Sequence, residues 1–338
     1  MTAVRSDTNA LVKKALKSFL AKWEEECPDV NPFSHEDQHG KPQIRNADTA
    51  MEMLFHYIEE RRSILQSRDF KLLAIEQPFA VPLDADRSDL FYIGRLDKVF
   101  EYQGRIYIGE HKTTTSYKKD GPFRSDFVDS FSPNSQVDGY LYAAHLIYGK
   151  RVKACWIDAA LVHQHVHDGF RFIPIERQLQ QLAGWVWEAR YWVEQIEANE
   201  RVLGSNQPID EYDYLPAFPK NTTSCTNYGG CPFLDLCKMW SNPINHDDPA
   251  GFKIEKWEPF DALEFGKAKG KVGGTDKQLN RKMSLYDNTR LQSFRTCARA
   301  FYFRHCRDLT TADTRLPLVF GSCWHEAMDI VWKELARK

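Results

Sequence analysis

The sequence predicts an α/β protein built on one mixed central sheet flanked by helices. Three observations carry that prediction. Apolar segments alternate with polar ones between residues 72 and 114, two further strand-like runs lie at 154–162 and 170–175, and amphipathic helical stretches stand on both sides of them. The chain has 338 residues, 42% hydrophobic and 27% charged, so it is long enough to bury a large core and too apolar for wholesale disorder. No stretch approaches the ~20 uninterrupted apolar residues of a membrane span, and the first residues lack the apolar segment of a secretory signal. A cytoplasmic location without membrane association is expected. The net charge of −2 excludes a global basic footprint, so any contact with nucleic acid must be local.

Residues 8–26 and 47–66 read as amphipathic helices; in the second, Met51, Leu54, Phe55 and Ile58 recur at helical spacing. Leu72 to Val81 alternates as a strand does, with Glu76 inside it. Leu90 to Phe100, a turn at Gln103-Gly104, and Arg105 to Thr114 give a strong hairpin signal. Ser135 to Ile147 reads as a helix, Ala154–Val162 and Phe170–Ile175 as strands, and Gln178 to Val202 as a long Trp-rich helix. Residues 216–238 are loop-rich. Residues 241–282 have weak periodicity, with a flexible basic linker around 266–274. A helix from Thr289 to about His305 and another from Gly321 onward close the chain.

The hairpin carries the chemistry. Asp97 and Glu110 are 13 residues apart across a tight turn, so their carboxylates can sit side by side. Strand alternation then sends Glu110 and Lys112 to one face and His111 to the other. Two carboxylates and a lysine on one face suit metal-assisted phosphodiester hydrolysis: hard oxygen ligands for Mg²⁺ or Mn²⁺, and an ammonium to orient water or offset phosphate charge. The plain alternative is a surface strand with ordinary charged residues. On the next helix Gln136 and Tyr140 are i and i+4 and share a face. Three of the eight cysteines, Cys225, Cys231 and Cys237, crowd into a short loop, which in a reducing compartment points to a metal or cluster site rather than disulfides.

Gly94-Arg-Leu-Asp97 followed by Gly109-Glu-His-Lys-Thr-Thr114 resembles motifs II and III of the PD-(D/E)XK nuclease superfamily, specifically its RecB-like branch. Gln136-Val-Asp-Gly-Tyr140 resembles that branch's Gln-xxx-Tyr motif. Near the end of the chain, Leu291-Gln-Ser-Phe-Arg-Thr-Cys297-Ala-Arg-Ala-Phe-Tyr resembles the family's first motif, with Ala298 where the family usually has Pro. Gly321-Ser-Cys-Trp-His325-Glu resembles its Gly-xxx-His-Glu motif. The resemblance implies a restriction-endonuclease-like sheet with an Fe–S subdomain, in which Cys225, Cys231, Cys237 and Cys297 hold a 4Fe–4S cluster. A structural zinc site is the alternative for the same cysteines. It further implies that Asp97, Glu110, His325 and the His111 carbonyl bind one or two Mg²⁺ or Mn²⁺ ions, that Lys112 positions the attacking hydroxide, and that Gln136 and Tyr140 face the active site or the DNA.

The family's opening block therefore stands last, which implies a circular permutation: a core in 1–240, a linker or irregular segment at 241–282, and a permuted block at 283–338 completing the same core. The helix at the end of that block reads as continuing into the one near residue 8. A domain swap or a truncated tandem would account for the same order. The expected function is a metal-dependent deoxyribonuclease, by analogy an exonuclease on single-stranded DNA ends. Protein partners in replication, repair or CRISPR adaptation are conceivable on this resemblance, and oligomeric state is open. The rival is a non-catalytic DNA-binding or assembly module keeping fold and cluster as scaffold. A basic stripe from Lys267 to Arg304 includes Arg295 and Arg299, i and i+4 beside Cys297, as candidate phosphate contacts.

Overall fold

The computed structural model describes residues 2–36, 40–117, 123–205, 208–227, 230–259, 283–311 and 315–337. The linker expected around 266–274 and the lysines flanking it lie outside the described residues. In chain order the elements are α1 (Thr2–Glu26), α2 (Ala47–Leu65), β1 (Phe70–Pro82), β2 (Leu90–Tyr102), β3 (Arg105–Thr114), α3 (Ser125–Asp129), α4 (Ser135–Tyr148), β4 (Val152–Leu161) and β5 (Phe170–Ile175). There follow α5 (Leu179–Leu203), α6 (Leu234–Met239), β6 (Phe252–Ile254), β7 (Ser284–Tyr286), α7 (Asn288–Thr296), α8 (Ala298–Phe301), β8 (Leu309–Thr311) and α9 (Leu316–Leu335).

Six strands form one mixed sheet in the order β1-β2-β3-β4-β5, with β7 joined to β2. The β2–β3 pair is antiparallel and closes at Gln103-Gly104, where both residues have positive φ, 50° and 74°. That is the backbone a tight two-residue hairpin demands, and glycine meets it without a Cβ penalty. β3 and β4 are parallel, a pairing that requires a crossover, and α4 supplies it. Asn134 starts α4 by accepting from the Gln136 and Val137 N–H groups. β4 and β5 are antiparallel.

The chain divides into two compact units. The first holds Met1–Gln77, Arg95–Arg177 and Thr314–Lys338; the second holds Pro78–Gly94 and Gln178–Asp313. β1 and β2 each contribute residues to both units. In the first unit α1, α2 and α9 bury Phe19, Trp23, Tyr57, Trp324 and Trp332 with Phe100 of the sheet. The buried stripe of α2 runs through Met53, Leu54, Tyr57 and Ile58, while Met51 is exposed. Lys98, wholly buried on β2, is paired with Asp329 of α9 and ties that helix to the sheet. The second unit packs Ala80, Phe91, Ile93 and Leu285, and stacks Phe218 on Phe301 and Phe233 on Phe303.

Two helical expectations are corrected. The helix expected from Thr289 to His305 is interrupted at Cys297, whose φ of −163° and ψ of 112° are extended; α7 ends before it and α8 begins after it. And α9 does not run on into α1. Lys14 pairs with Glu334 at 2.5 Å while Cys323 faces Lys22, Glu26 and Cys27, so the two helices lie side by side and antiparallel.

Candidate active site

Within the first unit, β2 and β3 bring Asp97 and Glu110 next to each other. The register pairs Lys98 with Gly109, one step from both carboxylates, and Asp97 Oδ2 accepts the His111 backbone N–H at 3.0 Å. Strand alternation holds on β3. Lys112 Nζ lies 2.6 Å from Glu110 Oε1, and His111 turns the other way, its Nδ1 3.3 Å from Asp158. Asp158 in turn holds Tyr57 and Arg61, and Trp332 donates to the Tyr57 hydroxyl, so the His111 ring sits on a buried polar platform. Gln136 Oε1 accepts from Lys112 Nζ at 3.1 Å, and Gln136 Nε2 donates to the Tyr140 hydroxyl at 3.1 Å. The Gln-xxx-Tyr pair thus reaches the site through the lysine.

α9 adds His325. Its Nε2 lies 3.1 Å from the His111 carbonyl and its Nδ1 3.4 Å from Asp97 Oδ2. With the Nε2 proton donated to that carbonyl, the Nδ1 lone pair faces Asp97. Glu76, Asp97 and His325 present ligand atoms that all lie within 4.8 Å of one another. Glu76, which the sequence shows only as an acid inside an apolar strand, joins Asp97 and His325 here. It stands at φ 48°, a left-handed conformation rare for a residue with a Cβ, and such strain concentrates at functional sites.

The electrostatics express a surplus of negative charge. Burial opposes ionisation of Asp97, yet His325, Lys98, His111 and Lys112 outweigh it and hold the carboxyl below its usual range. Glu110 is pushed up to about 8 by burial and by Asp97, against the pull of Lys112. Glu76 rises to about 7, again through burial and then Asp97. Burial lowers His325 to about 4, so its ring is neutral and able to ligate at ordinary pH. Lys112 is raised: burial works against its charge, but Glu110 wins.

Glu110 Oε2 is buried with no hydrogen-bond partner, an orphaned oxygen beside a carboxylate cluster. A divalent cation fits this donor set. Carboxylate oxygens suit Mg²⁺ or Mn²⁺, and the His325 imidazole is a nitrogen donor that Mn²⁺ accepts more readily than Mg²⁺ does. A cleft of about 600 Å³ opens onto it, lined by Lys22, Arg45, Glu76, Lys112, Gly321 and His325 among others.

The four cysteines lie in the second unit. Cys225, Cys231, Cys237 and Cys297 all line one cavity of about 180 Å³. The break at Cys297 points its sulfur there, where it accepts the Asn221 backbone N–H at 3.4 Å. Cys225 and Cys231 close a turn through a 2.8 Å backbone hydrogen bond, and Lys220 caps the Cys237 carbonyl. Burial raises the Cys237 thiol to about 11. Among the described residues, no three of these sulfurs lie within 4.8 Å of one another. Arg299, expected on DNA, is instead buried and donates to the Phe218 carbonyl, because the break at Cys297 destroys the i, i+4 relation with Arg295.

Paired acids on a β-hairpin, an adjacent lysine and a histidine from α9 meet at one place in the first unit, the residue types that metal-assisted phosphodiester hydrolysis uses. The chain belongs to the PD-(D/E)XK nuclease superfamily, which matches residues 5–238. Members of that superfamily are generally nucleases, and its nucleases use divalent metals. The match takes in Asp97, Glu110, Lys112 and the Gln136–Tyr140 pair and stops short of Cys297 and His325. No curated protein matches the chain. Among the described residues, no helix is long and apolar enough to cross a membrane.

Proposed function

We propose that this chain is a Mg²⁺- or Mn²⁺-dependent deoxyribonuclease of the RecB-like branch, acting as an exonuclease on single-stranded DNA ends. The observation that carries the reading is Lys112, held between Glu110 and Gln136 beside the Glu76–Asp97–His325 group. A divalent cation bound by Glu76, Asp97, Glu110 and His325 would supply Lewis-acid polarisation of the phosphate and a lowered pKa for water. Lys112 Nζ orients the attacking water and offsets charge on the phosphate. Gln136 fixes the direction of that ammonium, and Tyr140 fixes Gln136. The His111 backbone N–H holds Asp97, its carbonyl holds His325, and the Asp158 platform keeps both in place.

The same reading assigns Cys225, Cys231, Cys237 and Cys297 to a 4Fe–4S cluster that clamps the Cys297 segment to the 225–237 loop. What supports the assignment is that all four cysteines line one cavity; a structural zinc site is the alternative for the same thiols. The order of motifs supports a circularly permuted member: residues 283–338 supply Cys297 to the cysteine cavity and His325 to Asp97. Proteins of replication, repair or CRISPR adaptation are the partners this reading favours.

The test is cleavage of end-labelled single-stranded DNA in Mn²⁺ and in EDTA by anaerobically purified protein and its Lys112→Ala variant. Cleavage that needs both Mn²⁺ and Lys112, by brown protein with about four irons per chain, supports the proposal. Brown protein that binds DNA and cuts no form of it makes the chain a non-catalytic binding or assembly module.

A further inference from the structure

Within the second unit, α5 carries an aromatic pair largely open to solvent, Tyr191 also meeting Trp192 edge-on at 5.0 Å. Trp187 and Tyr191 stand i and i+4 and stack at 6.0 Å with an interplanar angle of 17°. Trp187 is 67% exposed and Tyr191 42%. An indole left that open forfeits most of the stabilisation an aromatic side chain gains from burial. Beside the pair, α5 and α7 frame a groove of about 270 Å³. Tyr191, Trp192 and Phe294 furnish its aromatic wall, Gln195 a side-chain amide, and Lys220 and Arg295 its charge.

The groove's chemistry is selective. No carboxylate lines it, although the chain holds 47 Asp and Glu residues. Glu188 and Glu194 are exposed on α5, outside the lining. Among the described residues Arg295 makes no ion pair; its guanidinium lies 5.8 Å from the Trp192 ring centre and faces solvent. Flat aromatic faces at the edge, cations and amides within, and no acid make a surface for stacked bases joined by phosphates. A duplex hides its base faces and cannot use it.

We propose that this groove binds single-stranded DNA, with bases stacking on Trp187 and Tyr191 and phosphates meeting Arg295 and Lys220. The choice of DNA as the nucleic acid rests on the nuclease reading; the stacking surface does not. The inference is tested in a Glu110→Gln background in EDTA, so that no cleavage intervenes, by fluorescence anisotropy of a labelled oligothymidylate of roughly 20 nucleotides.

Trp187→Ala and Tyr191→Ala should each weaken binding roughly 5- to 150-fold, while Trp187→Phe keeps most of the affinity. Arg295→Ala should reduce the slope of log affinity against log salt by about 0.7. Binding of a duplex of equal length should not change. The inference is overturned if the Trp187→Ala/Tyr191→Ala double variant, with an unchanged melting temperature, binds within about twofold of its parent, or if the parent does not bind the oligonucleotide. Cleavage by the wild-type chain is measured separately. Cleavage with no dependence of binding on the groove would remove this inference alone, and groove-dependent binding without cleavage would remove the nuclease reading alone.

Discussion

Glu110→Gln should make the metal-free protein more stable at alkaline pH while abolishing its response to metal. In the folded chain Glu110 is pushed up from 4.5 to about 8 by burial and then by Asp97. The folded state therefore binds a proton that the unfolded state has released, and the stability this confers is fully present below about pH 4.5 and is lost as pH rises through 8. At ~1.4 kcal/mol per unit, the cost of ionising this one buried carboxyl at pH 9 is ~5 kcal/mol at most. The group is only 2% exposed, so solvent screening removes little of it. Glutamine keeps the shape and carries no charge, so in EDTA at pH 9 the variant should melt several degrees above wild type. At pH 5 the two should coincide.

With saturating Mn²⁺ the order reverses, because wild type gains the binding energy of the ion and the variant loses a ligand. Differential scanning fluorimetry from pH 5 to 9, with EDTA or Mn²⁺, reads all four conditions. A variant no more stable than wild type at pH 9 in EDTA would refute the reading of Glu110 as a buried acid whose ionisation Lys112 only partly offsets.

Three further outcomes are expected. Lys112→Ala should lower cleavage roughly 10²- to 10⁴-fold with Mn²⁺ affinity, measured by calorimetry, changed far less, because the ammonium acts on water and phosphate and not on the ion. Asp329→Asn should cost ~3–5 kcal/mol by leaving Lys98 charged and buried without its partner, a loss that Lys98→Met in the same chain largely restores; thermal melts of the single and double variants decide it. Cys297→Ser should lose iron and colour while Mn²⁺ binding at the first unit survives; iron retained at wild-type stoichiometry would remove Cys297 from the ligand set.

The strands and long helices were legible because their apolar periodicities are strong and local. β5 falls where the spacing of Phe170 to Ile175 puts it, and the hairpin turn was signalled by Gln103-Gly104. The break at Cys297 was not legible, since Leu291, Phe294, Ala298 and Phe301 keep a helical rhythm straight through it. What ends α7 is tertiary: Asn221 donates its side-chain amide to the Thr296 carbonyl and its backbone N–H to the Cys297 sulfur. Strand alternation put Glu110 and Lys112 on one face, a pattern an ordinary charged strand also fits; the resemblance to motifs II and III is what singled out Asp97, Glu110 and Lys112. Glu76 showed in the sequence as an acid inside an apolar strand but could not be placed beside Asp97, because that depends on a positive φ in the middle of β1. Nor could the pairing of Asp158 with Arg61 and His111 or of Asp329 with Lys98 be read, since these residues lie far apart in sequence and meet only across the packed core.

Whether Asp97, Glu110 and Lys112 form a working nuclease site is read by single-turnover degradation of end-labelled single-stranded DNA in Mn²⁺. Wild type and Glu110→Ala are purified anaerobically and compared at equal iron content. Loss of cleavage in the variant with its brown colour intact is the predicted result. Equal cleavage by both proteins, or cleavage by neither while both bind DNA, would contradict it.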